Sequence, residues 1–397
     1  MTGEQSSTAF PVPAPRGACP FDPPPRYVHA LRSAPVTRVR LWDGTSCWLV
    51  TGHKEVREVL RDRRFSADRT RPGFPFLSRS RAALADPSFL WTDDPRHARL
   101  RRMVTADFTY RRAESMRPWI QELTDTLLDR MTQQAQPADL VTALALPLSL
   151  RVICRLLGVP HDDHVLITEH SGTLFDTRST PETVRETEEK LLAHLTALVE
   201  GKRAAGDGGI LGRLVAAGDL SPAEIASMGR LLLVTGHEPS THMITLSVLA
   251  LLLHPEQLGR LRADPSAVPQ AVEELLRYLT VLHGGVPRTA TVDVVVGEEL
   301  IAAGEGVLCM LNTANRDETV FPAADTLDTD RDARAHIAFG YGTHACLGRY
   351  LARVELDVVL RTLLHRLPRL RLAGPAEDLR FREEMAVYGA HRLPIAW

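Results

Sequence analysis

The segment from Ile225 to Leu253 constrains this chain most, because it is predominantly apolar over the length of a long helix. With Pro222 marking a start, it reads as a helix of roughly 30 residues, long enough at ~1.5 Å per residue to cross a whole domain. A surface helix shows one apolar stripe; one apolar all round belongs inside a core. Its longest uninterrupted apolar piece, Leu246 to Leu253, falls far short of the ~18 residues of a membrane span. The chain must therefore build a large core around this rod. Its 397 residues, 44% hydrophobic and 24% charged, supply the material.

Other segments fit that frame. Asp43-Gly44 separates the alternating runs VTRVRLW and TSCWLVT, a hairpin signal. HKEVREVLRD, RHARLRRMVTADF, SMRPWIQELTDTLLDRMTQQ and SLRVICRLLGV carry helical periodicity, and strand-like runs return at 291–297 and 306–310. Prolines and glycine break the pattern over 70–90, as does Arg178 to Glu182; both read as substrate-facing segments or plain surface loops. Length suggests about 2.6 domains. No internal repeat or linker divides the chain, so we expect an irregular lead-in over 1–35 and one domain over 36–397. The expected class is mainly α with a small β region (α+β), β-rich near 36–52, 287–312 and 378–397.

The net charge, 47 − 49 = −2, gives no global drive toward nucleic acid or anionic membranes. Cys19, Cys47, Cys154, Cys309 and Cys346 form no CxxC pair, which excludes a disulfide scaffold or zinc ribbon and suits a reducing compartment. No secretory signal is visible, so a soluble cytoplasmic protein, monomeric and without nucleic-acid or membrane partners, is expected.

Phe339-Gly-Tyr-Gly-Thr-His-Ala-Cys346-Leu-Gly348 runs directly into a helical stretch. Its glycines describe a tight loop delivering Cys346 to a helix N-terminus, where dipole and free N–H groups favour a thiolate. Such a thiolate can be a nucleophile, a metal ligand or a haem ligand. The FxxGxHxCxG spacing resembles the haem-binding loop of the cytochrome P450 family, in which the cysteine ligates iron. Further matches run from about Val36 to the C-terminus. Glu274-Leu-Leu-Arg277 resembles the family's structural ExxR pair, with Arg331 as candidate third member. His97 and Arg101 resemble the HxxxR pair that binds haem propionates, joined by Arg288 and His344; Phe339, Gly342 and Gly348 shape the loop.

That resemblance implies the cytochrome P450 fold, a triangular prism with haem b between the long central helix and the Cys-loop helix. It implies a monooxygenase using O2 and electrons from a ferredoxin and its reductase. Arg61, Arg63, Arg64, Arg102, Arg349 and Arg353 would form the basic docking patch. By family position, 72–90, 168–179, the start of the long helix, 279–286 and 385–388 line the pocket, with Phe74, Phe76, Phe89, His237, His283, Gly284, Gly285, Val286, Met385 and Val387 as candidates.

The chain departs from the pattern in the long helix, which reads Thr235-Gly236-His237-Glu238-Pro239-Ser240. The acid is present as Glu238, with water the candidate proton route, but Pro239 replaces the usual threonine. Pro239 donates no backbone hydrogen bond, and its ring crowds the Thr235 carbonyl. Ser240 and Thr241, roughly 100° and 200° further round, are not expected to substitute. We therefore expect oxidation of a hydrophobic or aromatic natural-product intermediate, by oxidative coupling or ring closure of an aromatic or cyclic-dipeptide substrate. The alternatives are conventional hydroxylation of a terpenoid, macrolide or polyketide, or a haem protein without oxygenase activity. Glu238 facing the pocket would repel a carboxylate, which disfavours fatty acids.

Overall fold

We describe the chain from a computed structural model covering residues 10–83, 88–205 and 208–397. The hairpin forms as its turn signal requires. Strands Val36–Arg40 and Ser46–Val50 pair antiparallel, with Val36 opposite Val50. Gly44 takes a φ of 84°, and the Asp43 carboxylate accepts from Thr45 N at 2.9 Å. Strand Gly306–Cys309 then adds parallel to Ser46–Val50, followed by Val286–Ala290 and Phe65–Ser66. This five-stranded sheet pairs residues 259 apart in sequence, Cys47 with Gly306 among them, with most of the helices in between.

The central helix runs Pro222–Leu253, 32 residues. Pro222 occupies its first turn, and Ser221 and Glu224 close a reciprocal capping box. Residues on all its faces are buried, and it packs on helices Leu146–Leu157, Pro181–Ala205 and Arg349–Arg366. The last of these packs in turn on Tyr110–Thr132. The result is mainly helical with small sheets, the expected class. Among the described residues no helix is long and apolar enough to cross a membrane.

Two expectations need correction. The lead-in is not irregular throughout, because Pro25–Ser33 is a helix with proline at its first turn. Nor is it detached. Tyr27 is fully buried, its hydroxyl donating to Pro11 O (3.2 Å) and accepting from Ala14 N (2.9 Å). Buried Arg16 lies 3.7 Å over the Tyr388 ring. Residues 1–9 lie outside the described residues. In the 70–90 stretch, Arg79–Ala83 is a short helix and Phe89–Trp91 a single 3-10 turn; residues 84–87 lie outside the described residues.

Candidate functional site

The Cys346 loop is shaped by its glycines. Gly340 and Gly342 take φ values of 71° and 72°, in the left-handed region that glycine adopts without strain. A Cβ on Gly342 would stand 2.3 Å from Leu60 O, so the loop and the end of helix His53–Arg61 approach backbone to backbone. Cys346 N donates to Phe339 O at 2.7 Å, and helix Arg349–Arg366 begins just after Gly348. Cys346 is exposed and is one of the residues that line a cavity. Desolvation pushes its thiol pKa up, opposed by the Gly348 N–H and by Arg101, Arg349 and Arg353. Desolvation thus outweighs the helix terminus, and a metal cation at the sulfur is what would bring the thiolate back.

The predicted propionate partners converge beside it. The His97 and His344 rings stack with centroids 3.9 Å apart. His97 Nδ1 sits 3.3 Å from Asp94 Oδ1, while its buried Nε2 has no partner among the described residues. Arg101 Nη2 donates to Ala345 O at 2.5 Å, and buried Arg288 donates to Pro287 O at 2.7 Å. Burial, then Arg288 and His97, push His344 down to about 2. Cationic groups gathered around a cavity, with an orphaned imidazole nitrogen and a thiol, call for a carboxylate-bearing metal complex. The residues present fit haem.

The cavity, about 410 Å³, lies between this loop and the central helix. Thr235, Gly236, Pro239, Ser240 and Met243 form its helical wall, an i, i+1, i+4, i+5, i+8 stripe. Gly236 packs closely on Ile153: a Cβ would lie 2.7 Å from Ile153 Cδ1, so a larger residue would have to displace that side chain. Phe74, Phe76, Phe89, Gly284, Gly285, Val286 and Val387 also line it, and so does Phe339 of the Cys loop. Gly285 holds a φ of 74°.

Other candidates are placed differently. His237 is fully buried behind the wall, its Nδ1 donating to Leu233 O at 2.7 Å. Glu238, one step round from Pro239, also leaves the wall: Arg382 Nη1 donates to its Oε2 at 2.9 Å, and His242 Nε2 is 3.3 Å away. Burial raises the Glu238 pKa, but Arg382 and His242 outweigh it and hold the carboxyl below its ordinary value. His283 faces the N-terminal segment, with Nε2 3.0 Å from Ala14 O and its ring edge-on to Tyr388. Met385 is buried in the core and is not a lining residue. The cavity is wide enough to take in two adjacent columns of the helix, so Ser240, beside Pro239, is also among its lining residues.

Behind the site, Arg277 is fully buried and bidentate to Glu274, at 2.7 and 2.8 Å. It also donates to Asn315 O, Ala324 O and Thr326 O. Arg331 Nε reaches Glu274 Oε1 at 3.2 Å, so the three are brought together as expected. The basic patch is thinner than its sequence. Arg64 pairs with Asp62, Arg63 with Asp94 and Arg353 with Glu273. Arg61, Arg102 and Arg349 have no carboxylate partner among the described residues. Sequence reasoning missed Arg382, the cavity residues Arg69, Arg81 and Arg230, and Glu355, and no local pattern marks any of them.

Comparison with known proteins gives a consistent picture. The family model described as Cytochrome P450 matches residues 22–159 and 182–368. Cytochrome P450-SU2 of Streptomyces griseolus is 58% identical over 392 residues, covering 98% of this chain and 97% of that protein. Pentalenic acid synthase of Streptomyces avermitilis is 43% identical over 404 residues, covering 100% of both. The crystal structure of mycinamicin VIII C21 methyl hydroxylase from Micromonospora griseorubida, bound to mycinamicin VIII, superposes with a TM-score of 0.92. It is 40% identical and covers 97% of this chain and 99% of that one.

Proposed function

The chain belongs to the cytochrome P450 family, and from that premise we propose that it hydroxylates a largely apolar natural-product intermediate with electrons delivered by a separate ferredoxin. Its cofactor is haem, which when bound supplies dioxygen activation and one-electron chemistry. Cys346 would hold the iron. His97, Arg101, Arg288 and His344 would hold the carboxylates of the macrocycle, neutralising charge that burial would otherwise make costly. The apolar wall, from Phe74, Phe76 and Phe89 to Val286 and Val387, would exclude water and orient the substrate.

The observation that carries this reading is the cavity itself, a largely apolar chamber with the Cys346 thiol in one wall and a serine hydroxyl residue in another. Hydroxylation places one oxygen atom in a C–H bond and sends the other to water, consuming two electrons and two protons. Ser240 gives the wall a hydroxyl-bearing residue that Pro239 cannot supply. The names of the mycinamicin and pentalenic acid relatives, a hydroxylase and an acid synthase, agree with oxygen insertion.

Pro239 favours a second reading, oxidative coupling or ring closure, which removes two hydrogens without inserting oxygen. Turnover under isotope-labelled dioxygen with a surrogate ferredoxin separates the two. A labelled product supports hydroxylation; an unlabelled product lighter by two hydrogens supports coupling. For the redox partner, Arg61, Arg102 and Arg349 form the surface we assign to docking, and reduction by an acidic ferredoxin should slow as salt rises. Salt-independent reduction would contradict that assignment.

A further inference from the structure

We propose that the substrate is an apolar molecule carrying a hydroxyl or N–H group, which donates to the backbone carbonyl of Thr235, an acceptor that Pro239 leaves open in the wall of the chamber. This rests on the cavity being the substrate site and narrows what enters it. Between Ile225 and Leu251 every residue of the central helix is buried except Thr235, Gly236, Pro239 and Ser240, and all of these line the cavity. The chamber therefore meets the helix over one short stretch, with Pro239 inside it.

In an α-helix the carbonyl of residue i accepts from the N–H of residue i+4. The donor due to Thr235 O is therefore the nitrogen of Pro239, which carries no hydrogen. The helix runs on through Pro239, so the N–H of Ser240 belongs to the next carbonyl, that of Gly236. The Thr235 hydroxyl donates back to Leu231 O at 2.7 Å. Among the described residues no side chain donates to Thr235 O, and no backbone N–H from outside the helix does. The missing bond lies between two wall residues, so the gap opens on the chamber.

A carbonyl short of a donor is tolerable while water reaches it and costly once water is excluded. An apolar substrate filling the chamber imposes that cost unless it brings a donor of its own, which makes the site select for one. The other polar lining groups do not meet a substrate donor in this way. The lining arginines can only donate. The Thr280 hydroxyl donates to Leu276 O and Arg277 O and accepts from Asn315 Nδ2. Glu355 stands on the helix that follows Cys346, not on this wall. The central-helix wall thus offers two acceptors, the Thr235 carbonyl and the Ser240 hydroxyl, and only the first owes its availability to Pro239.

The test pairs alcohols and phenols with their methyl ethers, which keep the apolar body and lose the donor. Naphthol, phenylbutanol and cyclododecanol, each with its ether, are titrated into the haem-loaded enzyme, with affinity read by equilibrium dialysis and by the haem absorption spectrum. Variants are Pro239→Ala and Pro239→Val, which restore the N–H (the second at near-proline bulk), and Ser240→Ala, which keeps the proline and removes the hydroxyl. The ferrous–CO spectrum of each shows that it is folded and loaded. At least one alcohol should bind the wild type about fivefold or more tightly than its ether, the worth of one net hydrogen bond. Both Pro239 variants should lose that preference with ether affinity kept, and Ser240→Ala should retain it.

Equal binding of alcohol and ether, a preference that survives the restored N–H, or one lost in Ser240→Ala overturns the proposal. Ethers that shift the spectrum while alcohols bind no better refute the acceptor and leave the substrate site intact. Binding of neither series overturns both. Alcohols that prefer the wild type over the Pro239 variants in dialysis, with an unmoved spectrum, support the acceptor and refute oxidation at this site.

Discussion

Arg277 shows what a fully buried cation demands of its neighbours. Five N–H donors meet a bidentate carboxylate and three backbone carbonyls, so the charge is compensated without water. Removing the cation strands Glu274 in the core. Arg277→Ala should cost about 3–5 kcal/mol in denaturant unfolding of the haem-loaded protein; a loss below 1 kcal/mol would contradict this account. The pair was legible as two charges three residues apart. Its carbonyl partners were not, because they come from an irregular stretch some 40 residues away. Glu355 was invisible for a similar reason, since only packing buries it. Its raised pKa means the folded state keeps a proton that the unfolded state releases. The carboxyl therefore lowers stability progressively from about pH 4.5 to about pH 8, by at most ~1.4 kcal/mol per pH unit, and the loss is constant above. Glu355→Gln should leave stability similar at pH 4 and raise it relative to wild type at pH 8. Parallel pH–stability curves for the two proteins would rule this out.

At the scale of elements, glycines and one proline decide the site. The Cys loop was readable because its glycines answer to backbone geometry, which sequence encodes locally. Gly342 and Gly348 should respond differently to alanine. At Gly342 a methyl meets the Leu60 carbonyl at a φ of 72°, so Gly342→Ala should cost about 1–3 kcal/mol or more and lower haem occupancy. At Gly348, φ is −79° and no protein atom lies within 4 Å of a Cβ, so alanine should leave the fold of the haem-free protein within about 0.5 kcal/mol of wild type. Thermal unfolding and the haem-to-protein absorbance ratio check both. In the central helix, the start at Pro222 and the length followed from sequence, but the capping box and which side chains face the cavity did not. A helical wheel orders residues around the axis and does not say how wide an arc the neighbouring helices leave open. That arc turned out to include Ser240 and to omit Glu238 and His237. Pro239→Thr should raise product formed per dioxygen consumed and lower released peroxide. Unchanged coupling would show that the position no longer governs proton supply.

Across the whole molecule, the sheet and the long helix do one job, bringing segments near residues 70, 100, 240, 285, 346 and 387 around one chamber. The thiol side of that chamber was largely legible, because holding one cofactor restricts each position to few residue types. The substrate side was not. His283 and Met385 looked like pocket residues by position yet are buried in packing away from the cavity lining, while Arg69 and Arg81 stand in or beside a stretch with no periodicity to read. The account stands or falls on Cys346 as the iron ligand in this chamber. The most direct test is the ferrous–CO difference spectrum of the wild type and of Cys346→His. The wild type should show the band near 450 nm that gives the family its name, and Cys346→His should lose it while still binding haem. A wild-type band at the shorter wavelength of histidine ligation, or a band unchanged by the substitution, would contradict the account.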